Sequence, residues 1–161
     1  MNLLLIKQLS IISAIAGVIL GLVTVIPYIS LFSFIILLTC ISAFILVYLK
    51  QNDLIGILSI KEGCISGAII GFVSFMAFAI VYAPISIVLS TLIPTYPQKH
   101  FLYFITDFGT FNVTLIILLF IAGIGALFNG FTGLITAYAY QMITGIKKGN
   151  DENNSVDFTV E

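Results

Sequence analysis

Charge is the scarcest property of this chain. Its 161 residues include six basic and seven acidic side chains. Charged residues therefore make up 8% of the chain, against about 25% in soluble domains. All six basic side chains are lysines, because the sequence has no arginine, and it also has no tryptophan. A net charge of −1 excludes the strongly basic surface with which proteins bind nucleic acid.

Groups that carry out catalysis are equally scarce. Residues 8–49, 63–98 and 108–146 contain no Asp, Glu, Lys or Arg, and the one histidine lies outside these runs. Catalysis needs a general acid, base, nucleophile or metal held in a site. The sequence has no His-Glu-x-x-His motif, no glycine-rich phosphate loop and no zinc-spaced set of Cys and His. We therefore expect no enzymatic activity, no catalytic residue, no cofactor and no metal.

Long apolar runs are what the chain has instead, since hydrophobic residues make up 60% of it. The hydrocarbon core of a bilayer, about 30 Å thick, requires about 20 apolar residues in each helix that crosses it. We predict four crossings, at about 9–26, 31–49, 63–83 and 113–138. The predicted fold class is all-α, a polytopic integral membrane four-helix bundle over residues 1–146. The polar residues 147–161 are predicted to be a disordered tail.

The third apolar run is too long for one perpendicular crossing. It continues from Gly63 to Ile93, which as a helix would span about 46 Å. Pro84 falls inside it, and a proline removes one helical hydrogen bond and bends or ends a helix. We therefore predict a crossing to about residue 83, followed by a kinked extension or an interfacial piece.

The connection between the third and fourth crossings has two interpretations. Four apolar side chains between Phe101 and Phe108 recur at helical spacing, which favours an interfacial helix lying in the membrane plane. An aromatic-rich loop at headgroup depth fits residues 98–112 equally well. His100 and Asp107 form a candidate pair on this outer loop for pH sensing or proton handling. The alternative is that both are ordinary surface residues.

Lysine counts near the ends of the crossings predict the orientation. Four crossings put both termini and the connector over 50–62 on the same side. That side holds five lysines and the other side holds only Lys99. We therefore expect a multi-pass protein of the cell inner membrane with both termini in the cytoplasm.

Small residues recur four apart on three of the predicted helices, a glycine-zipper pattern. Such residues let helix backbones approach closely, and close packing drives helix association in lipid. Packing within one subunit is our main interpretation, and oligomerisation or the lining of a solute path are the alternatives. The candidate packing residues are Ser13, Gly17 and Gly21; Gly63, Gly67 and Gly71; and Ala122, Gly125, Ala126, Gly130 and Gly133.

Asn129 is the most polar side chain near the middle of a predicted crossing. An unpaired amide there is costly, so we expect the side chain to face protein and bond to a neighbouring helix. A contact with a ligand or an ion is the alternative. Four hydroxyl side chains are weaker candidates, because hydroxyls can bond back to their own helix. These are Thr24, Thr39, Ser42 and Ser74.

In layout the chain resembles the small, uncharacterised four-helix membrane proteins of bacteria that are catalogued as domains of unknown function. The shared features are a tight first hairpin, a connector ending in Leu58-Ser59-Ile60-Lys61-Glu62-Gly63, a long third helix and an acidic tail. This resemblance implies a fold but no activity.

For function, we expect a non-enzymatic structural or accessory subunit that acts through helix packing. Its partners would be the lipid bilayer and either further copies of the chain or another subunit of a membrane complex. The alternative is a small oligomeric transporter or channel for a small solute or ion, lined by Ser, Thr and Asn129.

Overall fold

The described part of the chain consists almost entirely of four long helices. A computed structural model describes residues 3–26, 28–52, 54–56, 59–93 and 111–154. Within these ranges no strand occurs, and the helices are α1 (Leu3–Thr24), α2 (Ser30–Gln51), α3 (Ile60–Leu92) and α4 (Phe111–Asn154). Each helix contains a stretch long and apolar enough to cross a membrane. The prediction of an all-α fold with four helices of membrane-spanning length is confirmed.

The third helix continues beyond the predicted crossing. α3 runs as one helix from Ile60 through Pro84 to Leu92, so residues 84–92 extend the crossing helix and are not a separate segment. Because Pro84 has no N–H, the helix lacks the hydrogen bond that this position would donate to the carbonyl of Ile80. The remaining hydrogen bonds of the helix continue on both sides of the proline.

The fourth helix also differs from the prediction. α4 extends through residues 147–154, where we predict a disordered tail. Extending an existing helix adds one hydrogen bond per residue without the cost of a new nucleus, so a polar segment can continue an apolar helix. Residues 155–161 lie outside the described residues. Most of the outer loop also lies outside the described residues. This part includes the candidate interfacial helix and the His100–Asp107 pair.

α2 is interrupted by a wide turn. It is α-helical over Ser30–Ile35, π-helical over Ile36–Cys40 and α-helical again over Ile41–Gln51. In the wide turn, called the π-turn below, the N–H of Ile41 donates to the carbonyl of Ile36, five residues back. A π-turn therefore carries one residue more than an α-helical turn. The sequence analysis did not predict it.

α3 lies at the centre of the bundle, with α1 and α4 packed against it. α1 runs parallel to α3, since Gly17 lies against Ser74 and Gly21 against Phe78. Ser74 Oγ donates a 2.9 Å hydrogen bond to the carbonyl of Ser13, which ties the two helices together.

α4 runs antiparallel to α3, since Gly63 lies against Gly133 and Gly67 against Asn129. α2 packs mainly against α4. Successive helices therefore alternate in direction, and the N-terminus of α1 lies at the same end of the bundle as the connector between α2 and α3.

Two features hold this arrangement at its ends. Four rings from α2 and α3 cluster with centroids 5.1–6.4 Å apart, an arrangement that stabilises aromatic pairs; they are Phe34, Phe75, Phe78 and Tyr82. In the connector, Ile55 is buried in the core. Ser59 and Glu62 then form a capping box at the start of α3, which satisfies N–H groups left free by the first turn.

Candidate functional site

The most elaborate polar arrangement of the described residues centres on Asn129, where α2, α3 and α4 meet. Its side chain is fully buried. The two N–H groups of Nδ2 are shared among three carbonyls: those of Leu37 at 3.0 Å and Leu38 at 2.9 Å, both in α2, and that of Gly125 at 3.0 Å in its own helix. Oδ1 accepts from the backbone N–H of Ser42 at 3.0 Å. The amide can face only this way, because its oxygen meets a donor and its nitrogen meets acceptors.

These bonds fall on the π-turn for a physical reason. The wider turn moves backbone N–H groups past the carbonyls that they would meet in an α-helix. Inside a membrane no water is available to replace the lost partners. Asn129 supplies donors to carbonyls in the π-turn and an acceptor to the N–H of Ser42 just after it. The Asn129 side chain therefore bonds to α2 carbonyls and to an α2 N–H that would pair with other peptide groups of α2 in a regular α-helix.

Two hydroxyl groups strengthen the same contact between α2 and α4. Ser42 Oγ donates to the backbone carbonyl of Asn129 at 2.8 Å. Thr132 Oγ1 lies 2.6 Å from the carbonyl of Thr39 and 3.0 Å from that of Phe128. The π-turn is therefore held along its length by one face of α4. We call this set of contacts the Asn129 junction.

Glycines of α3 close the junction from the other side. A Cβ added at Gly67 would overlap the backbone carbonyl of Asn129, and one added at Gly71 would lie 2.7 Å from the Cβ of Asn129. Gly63 meets the backbone of Gly133 in the same way. These predicted packing residues thus form one face, and α3 can touch the α4 backbone only because they have no side chains.

The predicted packing residues of α1 face α3. Ser13 is fully buried, and a Cβ added at Gly17 would overlap the backbone of Ser74. The contact is looser at Gly21, where an added Cβ would lie 3.3 Å from the carbonyl of Phe78. These three residues of α1 therefore pack against α3 of the same chain.

The remaining candidates on α4 differ in how tightly they are packed. Ala122 is fully buried and Ala126 half-buried. A Cβ added at Gly130 would lie 3.3 Å from the carbonyl of Cys64, whereas the nearest atom to one added at Gly125 would be 3.6 Å away. Gly125 belongs to the junction through its carbonyl, which accepts from Asn129, and not through close packing of its Cα.

The four weaker hydroxyl candidates divide into two pairs. Thr24 and Thr39 donate to carbonyls of their own helices, at 2.6 and 2.8 Å. Ser42 and Ser74 instead donate to carbonyls of neighbouring helices. Sequence reasoning missed Thr132 entirely. Its position three residues after Asn129 was the available signal, since residues at that spacing share a helix face.

A small pocket lies where α2 ends and the connector begins. It has an interior space of about 20 Å³, enough for about one water molecule. It is lined by Leu46, Lys50, Ile55, Gly56, Thr136, Ala137, Tyr140 and Thr144. An interior space of this size holds no organic solute, since ligand pockets usually measure about 300–1,000 Å³.

No family model, curated protein or solved structure matches the chain. The resemblance to small bacterial four-helix membrane proteins therefore stays a prediction.

Proposed function

We propose that this chain is a non-enzymatic protein of the cell inner membrane that serves as a structural or accessory subunit of a membrane complex. The observation that supports this most directly is how its intramembrane polar groups are used. Asn129, Ser42 and Ser74 all bond to the backbone of neighbouring helices. Polar groups held in this way fasten helices together and are not available to a passing solute.

The outward faces are then left to contact lipid and other proteins. On α4, Phe120, Leu127 and Phe131 follow one another at spacings of seven and four residues and are between 64% and 77% exposed. Tyr138, 51% exposed, continues the row seven residues later. Aromatic side chains are enriched at protein interfaces. We propose that this row, the α4 outer row, receives a helix of the partner subunit.

The orientation within the membrane is part of the proposal. Because the helices alternate in direction, the start of α1, the connector and the C-terminal end of α4 share one end of the bundle. Five of the six lysines belong to those segments. Lysine-rich ends face the cytoplasm, so we propose that both termini do.

A small oligomeric transporter or channel is the second candidate, and one observation favours it. Non-α-helical turns inside a membrane are typical of transporter binding sites, and the Asn129 junction contains such a turn beside a buried amide. For the amide to contact a solute, its bonds to α2 would first have to open.

Purification in mild detergent from the native membrane tests the leading proposal. We expect one copy of the chain with a stoichiometric amount of a different membrane protein, measured by native mass spectrometry. Replacing the outer-row residues Phe120, Leu127 and Phe131 with alanine should release the partner and leave the melting temperature of the chain unchanged. The matched control is alanine at Ile11, Ile15 and Ile19 of α1, which are 51–56% exposed, and it should retain the partner.

Two results would overturn this proposal in favour of the transporter. One is a defined homo-oligomer without a foreign subunit. The other is solute flux in liposomes that Asn129→Ala abolishes while the melting temperature stays unchanged. If Asn129 only fastens helices, Asn129→Ala lowers stability, and any activity falls only in proportion to the folded fraction.

A further inference from the structure

The π-turn of α2 has no local cause in the sequence. Residues 36–40 are Ile-Leu-Leu-Thr-Cys, with neither proline nor glycine, the residues to which breaks in helices are usually traced. A π-turn is rare because its geometry is less favourable than that of an α-helix. Thr39 Oγ1 bonds to the carbonyl of Ile35 within α2, and further side-chain bonds at this turn come from α4.

Asn129 provides most of those bonds from a fixed position. Its amide bonds to the carbonyls of Leu37 and Leu38, within the π-turn, and to the N–H of Ser42, which follows the turn. The amide is itself held by the carbonyl of Gly125. The Asn129 backbone cannot move toward α3, because Gly67 already lies against its carbonyl.

We propose that Asn129 is a register lock for α2. With the amide in place, α2 keeps one extra residue in the π-turn; when the amide is withdrawn, the turn closes to an α-helix. Closing it would rotate the segment Ile41–Gln51 by about 100° and shift it by about 1.5 Å along its axis. Each site on α4 that now contacts one residue of Ile41–Gln51 would then contact the preceding residue of α2. The inference goes beyond an accessory role and does not depend on it.

A deletion separates a register lock from ordinary interhelical bonding. Removing one residue from a π-turn yields a continuous α-helix whose two ends keep their faces. Cys40 is the residue to remove, because it is exposed and ends the turn. We expect Asn129→Ala to lower the melting temperature clearly in the full chain and by less than half that amount in the chain without Cys40. Equal losses in the two backgrounds would overturn the lock.

The same variants remain informative if Asn129→Ala does not fold alone. In that case the lock predicts that deleting Cys40 restores folding to the Asn129→Ala chain. If the Cys40 deletion folds by itself but the combined variant does not, the lock is wrong.

Thiol cross-linking measures the change of register directly. Leu46 and Ala137 line the same pocket, so a short bifunctional thiol reagent should join Leu46→Cys to Ala137→Cys in a background without the native cysteines. Adding Asn129→Ala should transfer the cross-link to the pair Ile45→Cys with Ala137→Cys. An unchanged yield from the first pair, with none from the second, would show that α2 keeps its register without the amide.

Discussion

The contact between α3 and α4 at Gly67 makes a sharp prediction about stability. In Gly67→Ala the new Cβ would overlap the backbone carbonyl of Asn129. That carbonyl cannot move aside, because Ser42 Oγ is bonded to it and the amide of the same residue is bonded to the π-turn. The two helices must therefore separate along the tightest part of their interface.

The expected size of the effect follows from two opposing terms. Overpacking typically costs about 1–3 kcal/mol, and a clash with the backbone falls at the upper end of that range. Alanine regains about 1 kcal/mol through its higher helix propensity. The net loss is about 2 kcal/mol, which for a chain of this size lowers the melting temperature by roughly 4–8 °C. Gly123→Ala is the matched control: nothing lies within 4 Å of its added Cβ, so its melting temperature should stay or rise.

The assay is thermal unfolding in detergent, followed by circular dichroism, for a graded set of glycine variants. The atom nearest to an added Cβ lies 3.3 Å away at Gly130 and 3.6 Å away at Gly125. The melting temperature should therefore fall little in Gly130→Ala and not at all in Gly125→Ala. If Gly67→Ala melts like the control, α3 and α4 do not touch at this point. If the melting temperature falls as much in Gly125→Ala as in Gly67→Ala, the loss of stability depends on the spacing of small residues and not on the distances between atoms.

Three further predictions concern orientation, the α1–α3 contact and the start of α3. Asn52→Cys, in a background without the native cysteines, should react with an impermeant thiol reagent only after the cells are opened; labelling of intact cells would place the connector outside. Ser74→Ala removes a bond between helices and should cost about 0.6–1.7 kcal/mol of stability, whereas Thr91→Ala, whose hydroxyl bonds within its own helix, should cost less; equal losses would contradict the assigned contact. Ser59→Ala should cost about 0.5–2 kcal/mol and speed hydrogen exchange at the N–H of Glu62, the group that Ser59 caps; unchanged exchange would mean that the cap does not form.

Much of the architecture could be predicted because the relevant signals are local. Three long runs lack charge, and Pro27 divides the first of them into two helices. The polar residues around Asp53 separate the first run from the second, and Pro94 ends the third helix, so these signals indicate how many helices there are. Glycines four residues apart define one face of α3, and the structure has that face against α4. The cost of burying an unpaired amide was enough to expect Asn129 to face protein. The Ser59-x-x-Glu62 capping box was equally readable, although the sequence analysis passed over it.

The π-turn could not be predicted, because its cause lies in another helix. A helical periodicity of 3.6 residues assigns faces correctly only while no extra residue intervenes. The junction depends on pairs such as Ser42 and Asn129, whose separation along the chain leaves no local pattern.

That separation also has a consequence for the order of events during synthesis. Asn129 follows Ser42 by 87 residues, which a ribosome takes about 4–17 s to add at about 5–20 residues per second. α2 is therefore complete well before its partner amide exists. If Asn129 is the register lock, a newly made α2 is expected to adopt an ordinary α-helix first. The turn would then open only when α4 arrives, as one of the last features of the molecule to form.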